Sequence, residues 1–305
     1  METFISNPSF DDGHALRHYD PLNDYLFYKI MGEKGDEIQL LGFINAVLEK
    51  TGKGPFSSVE ILEDKSFTPE IIGDKSVTLD VRAVLINGAR VNVEVQLRNQ
   101  HNMDRRSLFY WSKEYSSSLK AGQNYQELPN VIAINIVNYD FPALGEFHCS
   151  FHLREDRLRD FILTNALEIH YLNMVQYRKR DRKDMLDDPL YRWLTWFDKN
   201  SPPELVAEVV RMDNAIQMAD ERMVYITGDK EAIRAYERRF KAMCDMTSWQ
   251  DYAWDVGKAA GKAEGIAEGK VKSMEEIARR LKTRGRPLEE IAEDTGLTLE
   301  VVEKL

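Results

Sequence analysis

Two carboxylates and an amide sit at a spacing that can hold a cation. In Val77-Thr78-Leu79-Asp80-Val81-Arg82-Ala83-Val84-Leu85 the apolar residues take the odd positions, and Val91-Asn92-Val93-Glu94-Val95-Gln96-Leu97 repeats the pattern. Side chains alternate along a strand, so both segments read as strands with their odd positions toward a core. A two-residue loop at Asn87-Gly88 makes opposed residue numbers sum to 175 and sets every apolar position against a polar one. A three-residue loop, Ile86-Asn87-Gly88, gives the glycine the left-handed bulge position, and opposed residues then sum to 174. That register pairs Val81 with Val93 and Leu79 with Val95, and it sets Asp80 across from Glu94. Cβ atoms of directly opposed residues lie about 4.5–5.5 Å apart. Two carboxylates at that distance repel, so one takes a proton or both share a cation. Hard oxygen ligands with open positions suit Mg²⁺ or Mn²⁺. Gln96, on the same face as Glu94, can orient a water or a phosphate oxygen. The alternative is the solvated face of an amphipathic hairpin, with both acids paired to Arg82 and Arg90.

The elements around this hairpin set what else can reach it. Asn23 caps a helix over Asp24 to Met31, and Ile38, Leu41, Ile44, Val47 and Leu48 form the stripe of a second helix that stops near Gly52. Segments Ser58 to Glu63, Val77 to Leu85 and Ala89 to Leu97 have strand character; Val131 to Val137 is continuously apolar and reads as a central, two-sided strand. Phe147 to Leu153 and Ala166 to Met174 are weaker strand candidates. Asp104 to Leu119 has helical spacing, with Gly122 as its C-cap. On that helix Arg106 and Tyr110 lie one turn apart, so either both reach a phosphate backbone or the guanidinium stacks on the ring. The order of elements is that of an α/β or α+β domain.

Past Leu186 helical patterns dominate, and the boundary falls near residue 180. The run Arg178-Lys179-Arg180-Asp181-Arg182-Lys183 is either a sequence-independent DNA contact or a solvated linker. Glycines at 257, 261, 265 and 269 alternate with alanines at 259, 263 and 267. Each glycine costs a helix about 1 kcal/mol relative to alanine, so this tract is a linker or a helix whose small face another chain covers. Ser273 to Leu281, Leu288 to Asp294 and Leu299 to Leu305 read as short helices. Leu288 to Leu297 resembles the first half of a helix-turn-helix, but the second helix carries two glutamates and only Lys304, a poor match to a phosphate groove. Self-association or protein binding suits this end better. The divisions expected are therefore 1–180, a helical region 181–256, the glycine-alanine tract 257–270 and a helical segment 271–305.

Composition narrows the function classes. Of 305 residues 43% are hydrophobic, enough for a buried core. With 41 Lys and Arg against 51 Asp and Glu the formal charge is −10, so nucleic acid must be met through a local patch or metal ions. Cys149 and Cys244 lie far apart with no CxxC spacing, which speaks against a thiolate zinc site and a disulfide framework and points to a reducing cytoplasm. The six histidines show no convergent ligand spacing. The longest uncharged stretch, Leu128 to Tyr139, has twelve residues, too few to span a bilayer as a helix. No secretory leader is expected from Met1 to Arg17.

Taken in order, Pro21-Leu22-Asn23-Asp24-Tyr25-Leu26-Phe27, Phe43-Ile44-Asn45-Ala46-Val47-Leu48, Leu79-Asp80-Val81 and Val93-Glu94-Val95-Gln96 resemble the PD-(D/E)XK nuclease family transposases, also called the Rpn recombination-promoting nucleases. The likeness continues through Arg106-Ser107-Leu108-Phe109-Tyr110-Trp111-Ser112-Lys113, Ala121-Gly122-Gln123-Asn124-Tyr125 and Val131-Ile132-Ala133-Ile134-Asn135-Ile136, covering roughly residues 19–180. The resemblance implies a restriction-endonuclease-like core, a mixed sheet flanked by helices, ahead of a mainly helical C-terminal region. It implies Mg²⁺-dependent hydrolysis of DNA phosphodiesters, in recombination or in defence against foreign DNA. Asp80 matches the strand acid of the family and Glu94 with Gln96 its Glu-x-Lys element. Mg²⁺ would then lie on Asp80, Glu94 and the carbonyl of Val95. Leu79 replaces the proline of the family name, and Gln96 replaces the lysine, which removes a cation. Asp24 is either a third carboxylate of this site or a first-turn acid favoured by the helix dipole.

Overall fold

A capped helix opens the fold. Asn23, in extended backbone, accepts the N–H groups of Tyr25 and Leu26 at 3.1 and 3.4 Å, and α1 (Asp24–Met31) follows with Tyr25, Leu26, Phe27, Ile30 and Met31 buried. The computed structural model describes residues 19–35, 37–62, 81–119, 122–180 and 186–305. After α2 (Ile38–Glu49) come β1 (Val59–Ile61), β2 (Val81–Leu85), β3 (Arg90–Gln96), α3 (Met103–Ser117), β4 (Val131–Val137), β5 (His148–His152) and β6 (Leu167–Asn173). Short α4 (Met174–Arg178) leads to α5 (Pro189–Phe197), α6 (Pro203–Met212), α7 (Asn214–Thr227), α8 (Lys230–Thr283), α9 (Leu288–Thr295) and α10 (Leu299–Lys304). The expected restriction-endonuclease-like arrangement, a mixed sheet with flanking helices and a helical C-terminal region, is the one observed.

The sheet has six strands in the order β1-β2-β3-β4-β6-β5, parallel at β3–β4 and β4–β6 and antiparallel elsewhere. β4 is buried at all seven positions, as its apolar run requires. The β2–β3 hairpin takes the three-residue loop. Val81 pairs with Val93 and Ala83 with Val91, Gly88 has φ of 81°, and its N–H donates to Leu85 O at 2.8 Å. Asp80 and the residues before it in the expected strand lie outside the described residues.

The larger core forms where Val91, Val93 and Val95 meet α1, α2, α5 and α7. Phe43 stands edge-on to Trp193 and Phe197, with centroids 5.7 and 5.2 Å apart. Here α2 and α7 approach closely: a Cβ on Gly42 would fall 2.3 Å from Ala215 Cβ. The smaller core, Met103, Ala133, Val137, Ile169 and Tyr171, includes the start of α3.

Glu168 on β6 is fully buried and fully answered. It accepts from Thr51 Oγ1 at 3.0 Å and His170 Nε2 at 3.0 Å, and from Lys53 Nζ; His152 Nε2 lies 3.5 Å away. His170 Nδ1 is 2.9 Å from His148 Nε2. Burial alone raises the Glu168 carboxyl, but the hydrogen bonds from His170 and Lys53 outweigh it and carry it down to about 2. Burial and the neighbouring His170 push the His148 imidazole down to about 4. The histidines gather here because β5 pairs antiparallel with β6, setting His152 against Glu168 and Ser150 against His170.

The chain divides into two compact units, Met1–Phe240 and Lys241–Leu305. In the second, Ala278, Ile291 and Val302 are buried together, Gly296 ends α9 at φ of 69°, and Lys282 Nζ donates to Val302 O and Glu303 O at 3.1 and 2.9 Å. Two expectations are corrected. Ser273 to Leu281 is no separate helix but the end of α8, which also takes in the glycine-alanine tract as helix. Gly122 is not the cap of α3, which ends earlier at Ser118, where the N–H turns back to Tyr115 O at 3.2 Å.

Two outcomes follow from this packing. Gly42→Ala gains helix propensity yet forces α2 from α7, so urea denaturation should show a loss of about 1–3 kcal/mol, largely restored by adding Ala215→Gly. For pH, His148 is neutral in the fold while its unfolded counterpart charges near 6.5, and Glu168 is ionised in the fold down to about 2 while its unfolded counterpart protonates near 4.5. Both groups therefore lose stability as pH falls, first from 6.5 toward 4 and then from 4.5 toward 2. Glu168→Gln should cost about 3 kcal/mol at neutral pH and flatten the second phase of a melting-temperature profile against pH.

Candidate functional site

β3 carries Glu94 away from the larger core. Its alternation puts Val91, Val93 and Val95 in that core, and Glu94, opposite Asn135 of β4, meets α3 instead. Glu94 is only 1% exposed, and loss of water raises its pKa. Arg106 of α3 opposes that rise, with Nε 2.5 Å from Oε1, and its guanidinium carbon sits 5.2 Å from the Tyr110 ring centroid. Arg106 and Tyr110 both lie on α3, and the guanidinium stands over the ring. The second Glu94 oxygen, Oε2, is buried without a hydrogen-bond partner among the described residues.

Three contacts fix α3 so that Arg106 faces Glu94. Ser107 Oγ meets Asn135 Oδ1 at 3.2 Å, Trp111 Nε1 donates to Val131 O at 3.1 Å, and the buried Glu114 takes Arg82 Nη2 at 2.6 Å and Arg90 Nη1 at 2.7 Å. The arginines of the hairpin thus pair with Glu114, not with Glu94.

The other candidates are placed as follows. Val95 packs its side chain into the larger core, leaving only its carbonyl for a cation. Gln96 is half-buried and donates through Nε2 to Arg98 O at 3.2 Å. Asp24 accepts the Tyr25 N–H at 2.8 Å and lies 3.6 Å from Arg239 Nη1; burial raises its pKa, and no described contact links it to Glu94. Arg178 is held by Asp198 through Nε and Nη2, each at 3.0 Å, and by Asn138 at 2.7 Å. Arg180 pairs with Glu146 at 2.5 Å and Lys179 is exposed. Arg182 and Lys183 lie outside the described residues, as does Asp80. Sequence reading missed Tyr139 and Arg98. The Tyr139 hydroxyl and Arg98 Nη1 are buried and unpartnered among the described residues. Their one signal was position, just past the C-terminal ends of β4 and β3.

An orphaned, buried carboxylate oxygen on a hard-donor residue fits a divalent cation. Glu94 is that donor, and the Val95 carbonyl is the next along the chain. Among the described residues no group of three or more His, Cys, Asp or Glu is arranged to hold a metal ion.

Among the described residues no helix is long and apolar enough to cross a membrane. No curated protein and no solved structure matches the chain. The family model described as PD-(D/E)XK nuclease family transposase matches residues 21–253, from the Asn23 cap through the hairpin and α3 to α8. With that span covering well over half of its length, the chain belongs to the PD-(D/E)XK nuclease family of transposases.

Proposed function

We propose that the protein is a Mg²⁺- or Mn²⁺-dependent endonuclease that hydrolyses DNA phosphodiesters, acting in recombination or against foreign DNA in the cytoplasm. The observation that carries the reading is Glu94, a buried carboxylate with one oxygen answered by Arg106 and the other by nothing described. Family membership supports the reaction class. The hairpin register supports the partner, since the Val81–Val93 pairing is the register from which the sequence sets Asp80 across from Glu94.

In this reading Asp80, Glu94 and the Val95 carbonyl supply oxygens to the cation. A divalent cation held there polarises a phosphodiester and lowers the pKa of a bound water. Arg106 keeps positive charge beside Glu94, where the dianionic phosphorane of the transition state needs it. Gln96 orients a water or phosphate oxygen by its amide, and Asp24 of the first helix adds a third carboxylate. Arg106 and Tyr110 contact the DNA backbone, joined by Lys179 and Arg180, while Arg178 anchors their segment to Asp198. Self-association falls to the C-terminal helical region, where Trp249, Tyr252 and Trp254 of α8 are exposed.

One observation favours a second reading, a DNA-binding protein that kept the fold without turnover: the neutral Gln96 amide is engaged with the Arg98 carbonyl. Nicking of supercoiled plasmid separates the two. With Mg²⁺ or Mn²⁺ the wild type should nick, EDTA should abolish it, and Asp80→Asn and Glu94→Gln should each lower the rate by about a hundredfold or more. Melting curves on each variant identify any that fail to fold. DNA bound equally by all three, with no metal-dependent nicking, would establish the second reading.

A further inference from the structure

Two buried polar atoms on or just past the neighbouring strands β3 and β4 lack hydrogen-bond partners among the described residues, and they are of complementary kinds. Glu94 Oε2 can only accept while ionised, and the Tyr139 hydroxyl, just past β4, can donate. Tyr139 follows β4 by two residues, immediately after Asn138, whose N–H still bonds Gln96 O at 3.2 Å. The ring is therefore held at the end of the strand pair that carries Glu94 and Gln96. Burial first, then the charge of Glu94, raises the phenol to about 12, so it is a hydroxyl donor throughout the working pH range.

A buried hydroxyl without a partner costs stability, and the large majority of buried polar atoms are bonded. Phenylalanine would fill the same space without that cost. Neither the Tyr139 hydroxyl nor Glu94 Oε2 has a hydrogen-bond partner among the described residues, although β4 and β3 run side by side up to Val137 and Gln96. A buried donor just past β4 and a buried acceptor on the adjoining β3, both left open among the described residues, suit a third body that offers both an anionic oxygen and a cation. We propose that Tyr139 is a phosphate-binding residue of this site, its hydroxyl donating to a non-bridging oxygen of a phosphodiester held beside Glu94. The inference rests on the nuclease reading for the identity of that anion.

Tyr139→Phe removes only the hydroxyl. Three measurements on the full chain decide the matter: thermal melting, anisotropy of a fluorescein-labelled DNA duplex in Ca²⁺, and plasmid nicking in Mg²⁺. The expected result is a melting temperature unchanged or raised, duplex Kd weakened about tenfold or more, and nicking slowed in step. A variant that binds and nicks like the wild type overturns the proposal. So does a melting temperature lowered together with unchanged binding, which marks an internal hydrogen bond instead. If the wild type nicks and Glu94→Gln does not, while Tyr139→Phe matches the wild type, the nuclease reading stands and Tyr139 fails alone. If nothing nicks but Tyr139→Phe weakens duplex binding, the nuclease reading fails and the phosphate contact stands. A wild type that binds no duplex in Ca²⁺ and nicks nothing overturns both.

Discussion

Glu94 is a carboxylate that the sheet has taken out of water, and the arrangement of α3 answers that constraint. An ionised carboxylate 1% exposed is stable only beside a cation or with strong donors. Arg106 meets the need, and it can do so only if the helix is held in rotation and height. Ser107 on Asn135, Trp111 on the Val131 carbonyl and Glu114 between Arg82 and Arg90 give three attachments spread along α3, each to a strand flanking or bearing the site. Together they set the rotation and height of α3 that put Arg106 beside Glu94.

The protein contains a second buried acid that makes the first easier to interpret. Glu168 has both oxygens engaged by Thr51, His170 and Lys53, and its pKa falls although burial works the other way. Glu94 has one oxygen engaged, and its pKa rises. The same chain can therefore satisfy a buried carboxylate completely, and at Glu94 it does not. A half-satisfied acid is poor as a structural device, since it keeps the desolvation cost without the full set of bonds. It is the state expected of a group that completes its coordination with something other than protein.

Local rules made much of this legible in the sequence. The Asn23 cap, the α2 stripe and the continuously apolar β4 are written in residue types and spacing, and each element formed where those place it. The hairpin register followed from one argument, that apolar must meet apolar across the pair, together with the need for glycine where φ is positive. What stayed hidden depends on distant pairing. His148, His152 and His170 look scattered until β5 lies antiparallel on β6, and Glu114 looks like an exposed helix acid until two hairpin arginines close on it. Gly122 misled because a glycine after a helical run has two uses, and here the cap formed earlier, at Ser118. Tyr139 carried only its position just past β4, because an unsatisfied hydroxyl is a property of its surroundings and not of its neighbours in sequence.

Charge arrangement limits how such a chain can approach DNA. Its formal charge of −10 repels a polyanion, so attraction must be local. Many of the arginines offered as DNA contacts or lying on the hairpin are already paired: Arg82 and Arg90 with Glu114, Arg106 with Glu94, Arg178 with Asp198 and Arg180 with Glu146. A guanidinium held by a carboxylate releases few phosphate counterions, because the pair is close to neutral before DNA arrives. A divalent cation shared by Glu94, on the nuclease reading, would change that balance, because it would release part of the Arg106 charge from the pair. On the nuclease reading, the cation serves chemistry and attraction at once, and an acidic protein needs no broad basic face to engage its substrate.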